Sequence, residues 1–479
     1  MISVIIAPLM LVLVIIFITI GKMNRLLAAF IGAITVAFFL LYVDNIDITI
    51  VVGFLIGTDN SNLQTILFIF GMMMTIAVCE KSGVFSYIAF RLVQMSKGKS
   101  RRILIILCFF TFIFSSVTMN ILCIFLIIPL TITICRILKI NPLPFILSEG
   151  MVVNLGGLLF VISSIPNLLI SHAINWTFPE YFIDVGFFSI YLFVINIIFL
   201  TKYNERKLET AEPNYIKRLL DYDPWMFVAS KKNFYKSLVI LLLTILSVII
   251  LPLFIPITID VIALAGGIIA VLLVLVKKFD SVWKSLDLEL IFYLFCILFL
   301  SEAIDFTGVL NFVSGGIEFI TGGNPFSITI LLLWLSSILS SVVHNAPITK
   351  IFIPVVQNIS TAQNQRVFFS GLAIGTVLGE NLSVMGDNLV LILMVRSKGY
   401  KLTFSTFMKL GIITTILELL ASSFFLLMKV SIQFLFIGII ILLGIVILLL
   451  FVPKILKWEK GSKMRNLRKN RLNPKMRLL

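Results

Sequence analysis

The chain has 479 residues, of which 60% are hydrophobic and only 13% charged, about half the charged share of an ordinary soluble domain. No water-soluble core absorbs that much apolar sequence, so soluble, disordered and disulfide-rich secreted classes are excluded and a polytopic membrane protein remains. The net charge of +15 sits mostly in two segments, +3 in 202–236 and +9 in 453–479, and reads as an orientation signal, not as a nucleic-acid footprint, because Lys/Arg-rich loops stay cytoplasmic.

Apolar segments of spanning length fall near 2–20, 26–43, 63–79, 183–201, 237–255, 259–276, 287–304, 407–428 and 431–452. The first has no preceding positive charge and no small-residue cleavage site, so it reads as a spanning helix and not as a signal peptide. Stretches 103–136 and 326–358 are apolar but interrupted in their middles, whereas 142–173 and 366–395 are interrupted by Gly, Ser and Asn. Cys79, Cys108, Cys123, Cys135 and Cys296 lie in or beside apolar runs at no metal-like spacing, as small buried residues do. The polar loop 202–236 divides the chain into near-equal halves. A basic tail, 453–479, suits a cytoplasmic membrane surface with anionic lipid.

The halves repeat each other. At an offset of 225 residues Glu80 matches Asp305, Gly83 matches Gly308, Ser115 matches Ser340, Asn120 matches Asn345 and Pro129 matches Pro354. The offset then becomes 223, pairing Gly156 with Gly379. The basic cluster Lys97, Lys99, Arg101 and Arg102 has an uncharged mate in the second half, and Arg396, Lys398 and Lys401 have an uncharged mate in the first. Equivalent points therefore lie on opposite sides of the membrane, the inverted-topology repeat of secondary transporters.

The expected fold is all-α and polytopic. It comprises a first repeat (1–201) with a re-entrant hairpin at 103–136 and a broken helix at 142–173, then the linker 202–236. A second repeat (237–428) has its hairpin at 326–358 and its broken helix at 366–395; a terminal helix (429–452) and the basic tail (453–479) follow. The hairpin arms are 103–118 and 120–136, and 326–343 and 348–358, with tips at Thr118–Asn120 and His344–Pro347. The N-terminus is placed outside, the linker and C-terminus in the cytoplasm, and the whole chain in the cell membrane.

Unpaired backbone groups are tolerated at membrane depth only inside protein or beside a watery cavity. The four chain interruptions are such places, and they give the candidate substrate and ion site: Asn120; Asn154, Gly156, Gly157, Ser163, Ser164 and Asn167; His344, Asn345 and Thr349; Gly379, Glu380, Asn381, Asp387 and Asn388. Pro166 suits the first turn of a half-helix, with Ser163 or Ser164 near its cap. Half-helix N-termini attract anions, and loose carbonyls at C-terminal ends hold Na+. The alternative use of the Gly and Ser residues is close helix packing. Glu149 and Lys350 are candidates for coupling or counter-charge. Lys350 has three open readings: snorkelling to the surface, pairing with Asp387 or Glu380, or meeting an anion. His344 can titrate or act as a plain hydrogen-bonding group, His172 caps a helix near the outer face, and Glu80 and Asp305 are structural.

Several linked motifs resemble the arsenite permease/P-protein branch of the ion transporter superfamily, related to citrate and dicarboxylate transporters. They are Phe70–Ala77 with Glu80–Phe85, Ser115–Pro129, Asn141–Glu149, Asn154–Asn167, Asn345–Pro354 and Gly399–Ser405, and they cover nearly the whole chain. The resemblance implies a substrate- and ion-binding transport domain on a scaffold domain, dimeric and moving as an elevator. Two departures bear on mechanism. The family's tips commonly read Asp-Asn, whereas here they are Met119-Asn120 and His344-Asn345. Its first break commonly reads Gly-Asp-Pro-Pro-Asn, whereas here Ser163 to Asn167 carry no acid.

The expectation is a secondary active transporter moving a small anionic solute with Na+ or H+, with no other cofactor and no nucleic-acid partner. A cation/proton antiporter using Asp387, Glu380 and Glu149 is the second reading, and a non-transporting membrane partner on a transporter fold is the third. Enzymatic motifs (a zinc-binding His pair, a nucleophile elbow, a phosphate-binding loop) are missing from the sequence.

Overall fold

In a bilayer every backbone polar group has to be satisfied within the protein, and this chain does so with helices: no strand occurs among the described residues. The structure, a computed structural model, describes residues 2–20, 23–57, 60–275, 279–384, 386–431 and 438–444. Among these, 8 helices are long and apolar enough to cross a membrane, or 9 if one bent pair counts as a single span. Helices Ser3–Ile20 and Ile259–Val274 are apolar as well. Large apolar side chains such as Leu27, Phe30, Leu243 and Leu272 stay exposed on outer faces, the composition that lipid contact requires.

Local chemistry sets the helix ends. Asn24 caps Arg25–Phe38, its Oδ1 accepting from Leu26 N at 2.8 Å. Asp44 accepts from Ile2 N and Ser3 N at 2.9 and 3.0 Å, tying the start of the first helix to the end of the second. A short helix, Ile48–Ile56, capped by Asp47, follows where no element was expected. Its nine residues rise about 13 Å at 1.5 Å each, too little to span a bilayer. Ser61–Lys81 and Leu288–Phe306 each end at a glycine in the left-handed region, Gly83 (φ 76°) and Gly308 (φ 72°). The chain then leaves as Val84–Gln94 and Val309–Thr321, the second pair bent by 74°. The sequence match of Glu80 to Asp305 thus marks one turn used twice, which only glycine enters at little cost.

The first hairpin pairs Ser100–Ser115 with Asn120–Leu138, and the second pairs Pro325–Val342 with Asn345–Ile359. The second tip is tighter than the sequence suggests. Asn345, Ala346 and Pro347 are already the first helical turn of the returning arm, leaving only Val343 and His344 outside helix. Proline in a first turn removes no helical hydrogen bond, so a Pro after the tip is no sign of a longer loop.

The first broken helix is Leu143–Gly156 and Ile165–Ala173, joined through a 3₁₀ turn at Val161–Ser163. The second is Gln365–Gly379 and Asp387–Ser397, joined through Glu380–Leu382. Asn141 N donates to Glu209 Oε2 at 2.9 Å and Gln94 Nε2 to Tyr222 O at 2.8 Å, so the linker packs at the base of the first hairpin and the start of the first broken helix. At the far end of that helix Gln357 Nε2 donates to Ala173 O at 3.2 Å. The bases of the two hairpins therefore lie at opposite ends of the first broken helix.

The hairpins and broken helices pack with Phe178–Asn204 and Phe404–Val430. Ser61–Lys81 packs with Lys231–Ile250 and Ile259–Val274, and Arg25–Phe38 with Leu288–Phe306. The crossing of Ser61–Lys81 on Ile259–Val274 is close because of two glycines: a Cβ on Gly71 would lie 2.4 Å from the Ala263 backbone, and one on Gly267 2.6 Å from Gly71 O. Of the expected terminal helix (429–452), residues 429 and 430 finish Phe404–Val430, and 438–444 are helical and accept a hydrogen bond at Leu442 O from Tyr191 Oη. Residues 432–437 and 445–452 of it and the basic tail (453–479) lie outside the described residues.

Candidate functional site

The hairpin tips are built alike. Met119 and His344 are extended residues immediately before the returning arms, and Asn120 and Asn345 are the first helical residues. The breaks are also alike. Ser164 is extended, with Pro166 at the second position of the half-helix. Gly386 has φ 58° immediately before Asp387 starts its own half-helix. In each break an asparagine on the second half-helix ties back the carbonyl that follows the paired glycine. Asn167 Nδ2 donates to Gly157 O and Asn388 Nδ2 to Glu380 O, both at 2.7 Å.

Both tips and both breaks meet at one cavity of about 30 Å³. Its wall includes Met119, Asn120, Ser163, Ser164, His344, Asn345 and Asp387, together with Arg25 and Leu290 from outside the hairpins and broken helices. Behind the wall runs a chain of amides. Asn120 Nδ2 donates to Asn154 Oδ1 at 2.7 Å, Asn154 Nδ2 to Asn381 Oδ1 at 3.0 Å, and Asn381 Nδ2 to Met151 O at 3.1 Å. These three residues, far apart in sequence, hold the first tip, the first broken helix and the second break in register.

Asn120 Oδ1, Asn345 Oδ1 and Ser164 Oγ are buried without a hydrogen-bond partner. With the Asp387 carboxylate they are the oxygen donors a hard cation takes. Both oxygens of buried Glu380 also make no hydrogen bond of normal geometry.

Other candidates sit away from the cavity. Gly156 and Gly379 are points of backbone contact: a Cβ would lie 2.3 Å from Phe112 O at the first and 2.2 Å from Ser337 O at the second. Phe112 and Ser337 are themselves one repeat offset apart. A Cβ on Gly157 would meet Asn120 Oδ1 at 3.0 Å. Thr349 Oγ1 donates to Asn345 O within its own helix. Glu149 is buried in the first broken helix, where Oε1 accepts from Thr131 Oγ1 at 2.7 Å.

Lys350 corrects the sequence expectation. It neither reaches the surface nor pairs with Asp387 or Glu380, but binds Glu302 Oε1 at 2.8 Å, linking the second hairpin to Leu288–Phe306. The pair borders a separate cavity of about 700 Å³, with Asp305, His172 and Gln357 also in its wall. His172 lies in the last turn of its half-helix, with Nδ1 3.1 Å from Thr65 Oγ1.

Sequence reasoning missed three residues. Arg25 looks like a membrane-flanking charge, yet it lines the small cavity and is held by Asp287 at 3.0 Å and Glu289 at 3.1 Å. Glu302 and Glu418 are acids inside apolar spans, a signal that intramembrane cost makes legible from sequence.

The family model described as citrate transporter matches residues 13–258 and 249–476. The 46 kDa membrane protein of Mycobacterium leprae is 24% identical over 371 residues, covering 76% of this chain and 85% of that one. The P protein of Mus musculus is 24% identical over 471 residues, covering 81% of this chain and 56% of its own length. The crystal structure of the YdaH transporter of Alcanivorax borkumensis superposes with a TM-score of 0.56 at 14% identity, covering 80% of this chain and 87% of that one, a likeness of fold. The multi-span helical architecture and the match along both halves lead to one conclusion: this chain belongs to the citrate transporter family of membrane transporters.

Proposed function

We propose that the protein is a secondary active transporter that moves a small organic anion, of di- or tricarboxylate type, coupled to Na+ or H+. One observation carries this reading: four helix starts, at Asn120, Ile165, Asn345 and Asp387, border a single cavity. The partial positive charge of such helix starts favours carboxylate, and Arg25, held by Asp287 and Glu289, lines the same cavity. The coupling ion belongs at the acceptor oxygens of the same cavity, with Asp387 as the charged member. Transport proceeds by alternating access, the hairpins and broken helices sliding as an elevator against a dimeric scaffold. The linker and the C-terminal tail face the cytoplasm and the N-terminus the outside.

The test is uptake of citrate and shorter dicarboxylates into proteoliposomes under an imposed Na+ or pH gradient. Accumulation that follows one gradient supports the reading, and flux indifferent to both removes the coupling. The acid in the cavity favours a second reading, a cation/proton antiporter centred on Asp387. In that case Na+ flux collapses in Asp387→Asn without any organic anion present, and an unaffected flux disposes of the antiporter.

A further inference from the structure

Glu418 lies in the middle of Phe404–Val430, outside the cavity. Its side chain is fully buried, at 0% exposure, and neither carboxylate oxygen accepts a hydrogen bond of normal geometry. Asn196 faces it from the neighbouring helix Phe187–Asn204. Asn196 Nδ2 donates one hydrogen to Leu192 O at 3.1 Å and turns its second toward the carboxylate, while Asn196 Oδ1 is buried and has no donor. One turn before Glu418, on the same face, Thr415 Oγ1 is buried and unpartnered. These buried oxygens are almost all acceptors, so the cluster is short of hydrogen, and a bare carboxylate there would be expensive.

No ion pair relieves it. Among the described residues the salt bridges leave Glu418 out. Of the elements packed against this helix, Pro325–Val342 carries no titratable group. Gln365–Gly379 carries Arg366, which binds Glu180 and Asp184. Leu143–Gly156 carries Glu149, bonded to Thr131, and the 3₁₀ turn carries Glu380. Phe187–Asn204 carries Tyr191, bonded to Leu442 O, together with Lys202 and Tyr203 at its far end. Lys409 stands near the start of the Glu418 helix, and Lys429, near its end, binds Asp184.

The cluster is nevertheless joined to the transport site. Gly411, two turns before Glu418, packs so closely on Asn381 that a Cβ would lie 2.0 Å from Asn381 O. Thr414 Oγ1 donates to Met151 Sδ at 3.4 Å, and Met151 O accepts from Asn381. Hydrogen bonds thus run from the cavity through Asn120, Asn154 and Asn381 to Met151, which also meets Thr414, one turn before Glu418 on its helix.

We propose that Glu418 is a proton-binding site separate from the cavity, carrying one proton as the neutral carboxylic acid and donating it to Asn196 Oδ1. Loading transfers a proton from hydronium on one side to a carboxylate oxygen, forming its O–H bond and leaving water; release breaks that O–H bond and returns the proton to water on the other side. The proposal rests on the transport reading and adds to the ion site at Asp387 a second, proton-binding group outside the cavity.

Two measurements test it. In infrared spectra at neutral pH, wild type minus Glu418→Gln should contain one protonated-carboxyl band, and a carboxylate band in its place overturns the proposal. This readout needs no transport, so it survives failure of the transport reading. In proteoliposomes the Gln variant should keep anion exchange but lose acceleration by an inward proton gradient, whereas Glu418→Asp should retain it. An unchanged pH profile in Glu418→Gln also overturns the proposal. If the Gln variant does not fold, an infrared pH titration of the wild type against Asn196→Leu decides: the protonated band should shift on loss of its acceptor, and an unmoved band refutes the assignment.

Discussion

The two helix breaks share a frame and differ in charge. In each, a glycine lets a hairpin arm approach the backbone, Phe112 at Gly156 and Ser337 at Gly379. In each, an asparagine ties the next carbonyl back, Asn167 to Gly157 and Asn388 to Glu380. Yet the first break presents Ser163, Ser164 and Ile165 to the cavity, none of them ionisable, whereas the second presents Asp387 and keeps Glu380 buried outside its wall. Backbone geometry has thus been held constant while ionisable chemistry was placed on one side, which separates the scaffolding of a site from its charge.

The hairpins carry the same asymmetry, and it sets the largest expected effect. Only the second is tied to a neighbouring helix by an ion pair among the described residues, Lys350 with Glu302, whose side chains are 11% and 12% exposed. Removing one partner of a buried pair costs about 3–5 kcal/mol. Lys350→Met should therefore lower thermal stability in detergent markedly, and Lys350→Met with Glu302→Met should recover most of it. If the double variant is no better than the single one, the pair is not the cause.

Next come the shared glycines. Gly156→Ala and Gly379→Ala each drive a methyl into a backbone carbonyl, an overpacking penalty of about 1–3 kcal/mol or more, and both should reduce yield and melting temperature alike. A large difference between them would break the equivalence of the two frames.

The asparagine ties are smaller again. Asn167→Leu and Asn388→Leu leave a carbonyl short of its side-chain donor, at about 1–3 kcal/mol, with similar losses in thermal unfolding expected for both. A clear imbalance would show that one break has another means of support.

The smallest effects on stability should come from Ser164→Ala and Asp387→Asn, and there function separates the breaks. Ser164 Oγ has no hydrogen-bond partner to lose and is only one neutral oxygen of the ion site, so its removal should weaken ion affinity but leave ion dependence in place. Asp387→Asn should abolish the response of uptake to Na+ or pH. Should both variants keep that response, charge at the second break is not what couples the ion.

Much of this was legible in the sequence. The shared spacing of Gly83 with Gly308, Asn120 with Asn345 and Gly156 with Gly379 reports local backbone needs, a left-handed turn, a helix start and a close approach, and local needs are written in residue type. The hairpins, both breaks and Asp387 could be read in this way. The sequence leaves the tip at His344 open as far as Pro347, because a proline there permits either a loop or a first helical turn, and only the chain around it chooses.

What the sequence by itself determined is the class of molecule, the spans, the repeat and the residue types at four interruptions, since periodicity and the cost of charge in a bilayer act along the chain. Only the tertiary structure decided which of those residues meet. It brought Arg25 to the cavity, gave Lys350 to Glu302 and not to Asp387, and joined Asn120, Asn154 and Asn381 into one chain. Such partners lie up to 264 residues apart, as Arg25 and Glu289 do, and their pairing is set by how helices cross, which no local pattern records.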